Sequence, residues 1–294
     1  MPSTRDIRRR IKSVKSTAQI TKAMQMVASS KMQKAQQGAL NYRPFAAMAS
    51  EIMDHLAADS SDYRHPLMEP REVRKRAVIV VSTDKGLCGG LNANLFREVG
   101  KYDAATTEFI AVGKRAAQFI ARTRRKLVAE FTYHDTPTYA ECQAISKFAQ
   151  DLFRKGEVDA VDVIYTRFIN TLSQRPDNCP LLPMASAEGL RVQVRDEAKS
   201  APAAAEHQAI DFIFEPDPTT VMDQLVLYFI DFRVAQLLLE AKASEHSARM
   251  VAMKNATDNA NQLVKHLTLE YNKMRQASIT KELLEIASAA MSLG

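Results

Sequence analysis

The chain has 294 residues, 46% of them hydrophobic and 25% charged, enough for one large or two small bodies with a real core. Trp is absent, aromatics make up 7%, and the three cysteines form no even-numbered framework and no Cys-x-x-Cys pair; a reducing compartment is the simplest reading, and no metal site is implied. The net charge of +6 is uneven, because residues 1–40 carry nine basic side chains against Asp6 alone, a local +8, and an acidic partner is expected there.

The basic start lacks the apolar core of a secretory signal. A transit peptide is its nearest imitation, but the helical pattern runs on past Ala39. Ser3 or Thr4 is expected to cap a first helix, with Asp6 in its first turn. Ile7, Ile11, Val14, Ala18, Thr21, Gln25, Ala28, Met32, Ala35 and Ala39 follow 4–3 spacing, the pattern of a coiled-coil seam. Small and polar members make that seam weakly adhesive. Ile20, Met24 and Val27 form a second stripe on another face. Pro44 is expected to kink or bend the helix, which resumes through Leu56.

From Arg76 to Phe214 the pattern alternates between strands and helices. Strands are expected at Ala77–Ser82, Glu108–Val112, Lys126–Tyr133 and Ala160–Phe168. Helices are expected at Leu91–Val99, Lys114–Arg122 and Thr138–Arg154. This order predicts a mostly parallel sheet. Short strands follow near Cys179–Met184, Leu190–Val194 and Ile210–Phe214, with a polar, Ala-rich loop at Glu197–His207.

Pro216-Asp-Pro218 is placed to open the last helix. From Thr219 to Leu293 there is neither Gly nor Pro, 75 residues in all. As one helix, that stretch would reach roughly 110 Å and would need a partner along its apolar face. The alternative is two or three shorter helices joined near Ser244 or Asn255–Asn261. Leu263, Leu267, Tyr271 and Met274 form one stripe, and Ile279, Leu283, Ile286 and Ala290 an offset second one. Val221–Leu239 is the most apolar stretch, but Asp223, Asp231 and Arg233 exclude a membrane span. Economy predicts that the two terminal helices pair antiparallel, with the last residues extending furthest. The fold class expected is α/β: a long antiparallel coiled coil plus a small Rossmann-like domain. Its parts are an N-terminal helix over 1–58, an α/β domain over 76–214 and a C-terminal helix over 217–294.

Signals for chemistry are weak. The loop Asp84-Lys-Gly-Leu-Cys-Gly-Gly-Leu-Asn92 matches neither G-x-G-x-x-G nor a P-loop, and reads as a tight turn. Cys88 has no nearby His and reads as a small buried residue. The six His residues show no ligand spacing. Asp159 and Asp162 read as solvated strand edges. No catalytic residue, metal ligand or cofactor-binding residue is expected. The sharpest polar motif is Arg275-Gln-Ala-Ser-Ile-Thr280, whose Arg275, Gln276 and Thr280 fall within about one and a half helical turns.

Five strings together carry a resemblance: Ile20-Thr-Lys-Ala-Met-Gln-Met-Val-Ala28, Ser30-Lys-Met32, Thr83-Asp-Lys-Gly-Leu-Cys-Gly-Gly-Leu-Asn92, Ala248-Arg-Met-Val-Ala-Met-Lys-Asn-Ala-Thr-Asp-Asn259 and the 275–280 motif. Over essentially the whole chain, and in order, they resemble the gamma subunits of F-type rotary ATP synthases. The resemblance implies a non-catalytic rotor shaft that carries torque from a proton-driven ring of c subunits to catalytic sites on beta. It implies alpha, beta, epsilon and the c ring as partners, no cofactor and no nucleic acid. It places Met24 and Arg249 near a lever of beta, and Arg275, Gln276 and Thr280 on a beta loop. It places Phe212, Phe214 and Glu215 against the c ring or epsilon. Met1 directly before the helix favours a bacterial protein at the cytoplasmic face of the inner membrane, peripheral to it. A nucleic-acid-binding coiled coil would use the same basic arm, but interleaved aromatics and a groove-reading module are missing. An α/β enzyme with helical extensions would require nucleotide binding or turnover by the chain alone.

Overall fold

The computed structural model describes the backbone of residues 3–59, 65–184, 215 and 217–292, and the side chains of 3–41, 65–184, 215, 217 and 219–288. The expected strands at Leu190–Val194 and Ile210–Phe214, and the loop at Glu197–His207, lie outside the described residues. The chain divides into two compact units, one of residues 1–29 with 249–294, the other of residues 30–248.

Two long helices run through both units. Helix α1 spans Thr4–Asp59 and carries through Pro44. Its start is a reciprocal cap: the Asp6 N–H donates to Ser3 Oγ at 3.2 Å, while Asp6 Oδ2 accepts from the Ser3 N–H and hydroxyl. The last helix, α5, spans Pro218–Ser292 as one element of 75 residues. Asp217 caps it by accepting from the Thr220 N–H at 2.9 Å, and Pro218 occupies the first helical position, where no N–H is needed. The turns weighed near Ser244 and Asn255–Asn261 do not occur, because seam residues continue through both places.

Within the larger unit lie β1 (Arg76–Val81), α2 (Leu91–Val99), β2 (Thr107–Val112), α3 (Lys114–Arg122), β3 (Lys126–Phe131), α4 (Tyr139–Arg154), β4 (Ala160–Phe168) and β5 (Gln174–Leu182). They form a five-stranded sheet in the order β3-β2-β1-β4-β5. The first four strands are parallel, and β5 returns antiparallel beside β4. Thus β5 begins at Gln174, earlier than the expected short strand at Cys179, because a tight turn at residues 169–173 pairs it with β4 from the start.

Alternation along β1 divides the core. Ala77, Ile79 and Val81 point to one face, where Cys142, Ile145, Ala149 and Phe153 of α4 meet Val226, Ile230, Val234 and Leu238 of α5. Val78 and Val80 point to the other, against Leu95, Val99, Ala116 and Ile120 of α2 and α3. Such strands are buried on both faces, which is why they read as continuous apolar runs.

Of the acidic pair at 159 and 162, one member departs from expectation. Asp162 is only 2% exposed, and lies in β4 next to β1, where Arg76 pairs with it. Asp159 accepts from the backbone N–H groups of Arg74 and Lys75 at 3.0 and 2.9 Å. Asp162 is thus neutralised inside the sheet by Arg76, whereas Asp159 stays partly exposed at the strand edge, as expected, and ties down the entry to β1.

Candidate functional site

The smaller unit is a pair of antiparallel helices. Ile7, Ala18, Thr21 and Ala28 of α1 are buried, and Ile11, Val14 and Gln25 half-buried. Opposite them, Met253, Thr257, Ala260 and Leu267 of α5 are buried, with Val264, Tyr271 and Met274 half-buried. The second series also steps by 4 and 3, so both strands of the seam are heptad-like. Leu263, expected in this stripe, lies beside it and is 40% exposed. Val264 takes the seam position, because 4–3 spacing from Thr257 and Ala260 falls on 264 and 267.

Two polar contacts fix the register. Thr21 Oγ1 and Thr257 Oγ1 share a buried hydrogen bond of 2.6 Å. Arg8 bonds the Tyr271 hydroxyl, its guanidinium carbon 5.4 Å from the ring centre. The paired numbers sum to 278 and 279, so Thr4, the first residue of α1, comes level with position 274 or 275 of α5. Beyond Met274 the described part of α5 therefore has no α1 opposite. There Ile279, Leu283, Leu284 and Ile286 are exposed, Ile279 at 48%.

Most of the residues singled out from sequence belong to this unit. Arg275, Gln276 and Thr280 lie on the unpaired turns and are exposed. The Thr280 hydroxyl donates to the Gln276 carbonyl at 2.9 Å, so its oxygen stays available as an acceptor. Met24 and Arg249 are half-buried, while Ile20 and Val27 are exposed on the second stripe of α1. Arg5, Arg9, Arg10, Lys12, Lys15 and Lys22 are exposed along the same helix, a cationic surface with Asp6 as its one acid. Glu215 belongs to the other unit and is exposed; Phe212 and Phe214 lie outside the described residues.

The glycine loop after β1 uses its polar groups internally. Thr83 Oγ1 donates to the Lys85 carbonyl at 2.8 Å and accepts from Asn92 Nδ2 at 2.7 Å. Asp84 accepts from the Lys114 N–H at 3.0 Å, and Ser82 Oγ accepts from the Ala116 N–H at 2.7 Å, which seats the start of α3 on the loop. Gly113 has φ +100°, and a Cβ there would come 2.4 Å from the Ser82 carbonyl oxygen. Cys88 is buried. The loop thus holds the carboxyl ends of β1 and β2 to the helices that follow. Among the described residues no group of three His, Cys, Asp or Glu side chains is disposed to hold a metal, and no helix is long and apolar enough to cross a membrane.

A family model described as ATP synthase matches residues 3–293. The chain is 49% identical over 290 residues to the ATP synthase gamma chain of Opitutus terrae, covering 98% of each chain. It is 42% identical to that of Methylacidiphilum infernorum, covering 100% of each. Among solved structures it resembles a chain of the Euglena gracilis mitochondrial ATP synthase, OSCP/F1/c-ring, with a TM-score of 0.65 at 18% identity over 99% of this chain and 94% of that one. A chain of the Tetrahymena thermophila central stalk and c ring gives 0.58 at 23% identity, over 81% and 99%.

Proposed function

Because this chain belongs to the ATP synthase gamma-chain family, we propose that it is the shaft of a proton-translocating F-type complex, carrying torque between a membrane ring and the catalytic sites. As a gamma chain it is a non-catalytic subunit, and the nucleotide chemistry belongs to other subunits. Its partners are alpha, beta, epsilon and the c ring, at the cytoplasmic face of a bacterial inner membrane, to which it is peripheral.

One observation carries this reading: α5 runs on beyond its partner, and its described turns there expose apolar side chains. A lone helix that exposes Ile279, Leu283, Leu284 and Ile286 is stable only inside an enclosing surface. The alpha and beta subunits supply that surface. Arg275, Gln276 and Thr280 meet a loop of beta, where a guanidinium, an amide and a hydroxyl offer directed hydrogen bonds. Met24 and Arg249 face the lever of beta, and the exposed cations of α1 attract its acidic side chains. Exposed ion pairs contribute only about 0–1 kcal/mol each, so these contacts are exchanged readily as the shaft turns. A single asymmetric shaft shows each catalytic subunit a different face, and so favours a different conformation in each. Phe212, Phe214 and Glu215 are assigned to the c ring or epsilon.

The test is purification of the tagged chain from detergent-solubilised membranes of its own host. Co-elution with an excess of larger subunits and an active ATPase is expected, while the isolated chain hydrolyses no ATP. Elution of the chain alone, or with nucleic acid, overturns the reading.

A further inference from the structure

Asp135 lies in the turn between β3 and α4, and three basic side chains from both long helices converge on it. Lys31 Nζ of α1 is 2.5 Å from Oδ2. On α5, His246 Nε2 is 3.3 Å and Lys242 Nζ 4.0 Å from Oδ1. Lys242 and His246 are each 2% exposed. Lys242 also reaches Glu245 at 3.2 Å and stands 4.2 Å over the centre of the Tyr133 ring. Burial alone would raise the Asp135 pKa, but the Lys31 hydrogen bond and the charges of His246 and Lys242 outweigh it and hold the pKa below the usual value. The carboxylate is therefore ionised at neutral pH.

The same turns of α5 hold the other side of the sheet. Ser244 Oγ donates to the Thr166 carbonyl at 2.8 Å, and Ser247 Oγ to the Thr171 carbonyl at 2.8 Å. From Ala241 to Ser247 every residue of α5 is buried, and five of the seven are polar or charged. Apolar side chains would fill this space at less desolvation cost. Charged and hydrogen-bonded groups do something apolar contacts do not: they prefer one angular setting of the helix over its neighbours, whereas apolar surfaces permit sliding.

We propose that Asp135 is a positioning residue that keys the sheet to both long helices, so that twist applied to the α/β body reaches α1 and α5 without lost motion. This rests on the torque-carrying reading and assigns it a locking point.

The test uses inverted membrane vesicles whose ATP synthase carries the chain as Asp135→Asn, Asp135→Glu or Lys31→Met, with ATP hydrolysis and proton pumping measured together. For Asp135→Asn the expected result is an unchanged KM for ATP, with loss of pumping once a proton gradient opposes rotation. Pumping with the gradient collapsed is retained. Asp135→Glu restores pumping under load in part, which a general packing defect would not show. Lys31 is half-exposed on α1, so Lys31→Met removes the ion pair without opening a buried site and settles the matter if Asp135→Asn fails to assemble. Loss of pumping under load in the variant that assembles supports the key, and a wild-type gradient at equal hydrolysis overturns it. If vesicles with the unaltered chain hydrolyse ATP without pumping, the torque-carrying reading fails, whatever the variants do.

Discussion

Burial pushes the Cys142 thiol up to about 12, ahead of the charges of Glu141 and Asp231. The tyrosines shift the same way: burial and then Asp162 take Tyr102 to about 12, and burial and then a hydrogen bond to Asp231 take Tyr139 there. Each group keeps in the folded state a proton that it releases when unfolded. The unfolded chain thus binds fewer protons once pH passes the ordinary values of about 8.5 for Cys and about 10 for Tyr, and stability falls as pH rises toward about 12. The urea midpoint of the full chain is expected to be lower at about pH 10.5 than at about pH 8; a flat profile contradicts the assignment. A thiol needs its thiolate to react, and all three cysteines are buried. A disulfide reagent is expected to titrate none of them quickly in the native chain and all three in denaturant. The Cys88 reading was legible from sequence because a small apolar neighbour suffices for it. The Asp135 cluster was not, because its members lie far apart in the chain and each alone reads as a solvated charge.

At the scale of elements, the seam of α1 was legible in 4–3 spacing, while the seam of α5 was half legible. Thr257 and Ala260 are too small or polar to stand out as an apolar stripe, so Leu263 drew the register one residue astray. The buried Thr21–Thr257 bond now defines it. Thr257 Oγ1 also donates to the Met253 carbonyl at 2.8 Å, so it keeps a partner if Thr21 is lost. Thr21→Val is accordingly expected to cost about 1 kcal/mol, and Thr21→Val with Thr257→Val no more than the single change, measured by urea unfolding followed by helix ellipticity. Strictly additive losses would contradict a shared bond. The sheet order followed from alternating patterns, and the antiparallel β5 was partly missed because Pro176 and Pro180 disguise it as a loop. At the end of β2, Gly113→Ala combines a left-handed φ with contact on the Ser82 carbonyl, and a loss of roughly 2–4 kcal/mol is expected. A loss under about 0.5 kcal/mol would mean that the two strand ends are not held together as described.

At the scale of the whole molecule, each compact unit offers a different kind of surface. The paired helices present small seam residues, exposed cations and an apolar end, and the larger unit presents an α/β body whose polar groups are spent on its own construction. Among the described residues neither unit holds a group of three His, Cys, Asp or Glu side chains disposed to bind a metal. Family membership was legible because motifs from both ends of the chain occur in order. The polar 275–280 motif was legible as a helix face and no further, since an exposed helix face looks the same whether or not a partner covers it. The most direct test of the shaft reading is to watch the chain turn. Leu172, 81% exposed at the turn between β4 and β5, is replaced as Leu172→Cys and carries a bead, which the buried native thiols do not bind. The complex is fixed to a surface through its catalytic subunits and given ATP. The bead is expected to rotate in one direction and to stop when ATP is exhausted; a bead that stays still while the same molecules hydrolyse ATP would overturn the shaft reading.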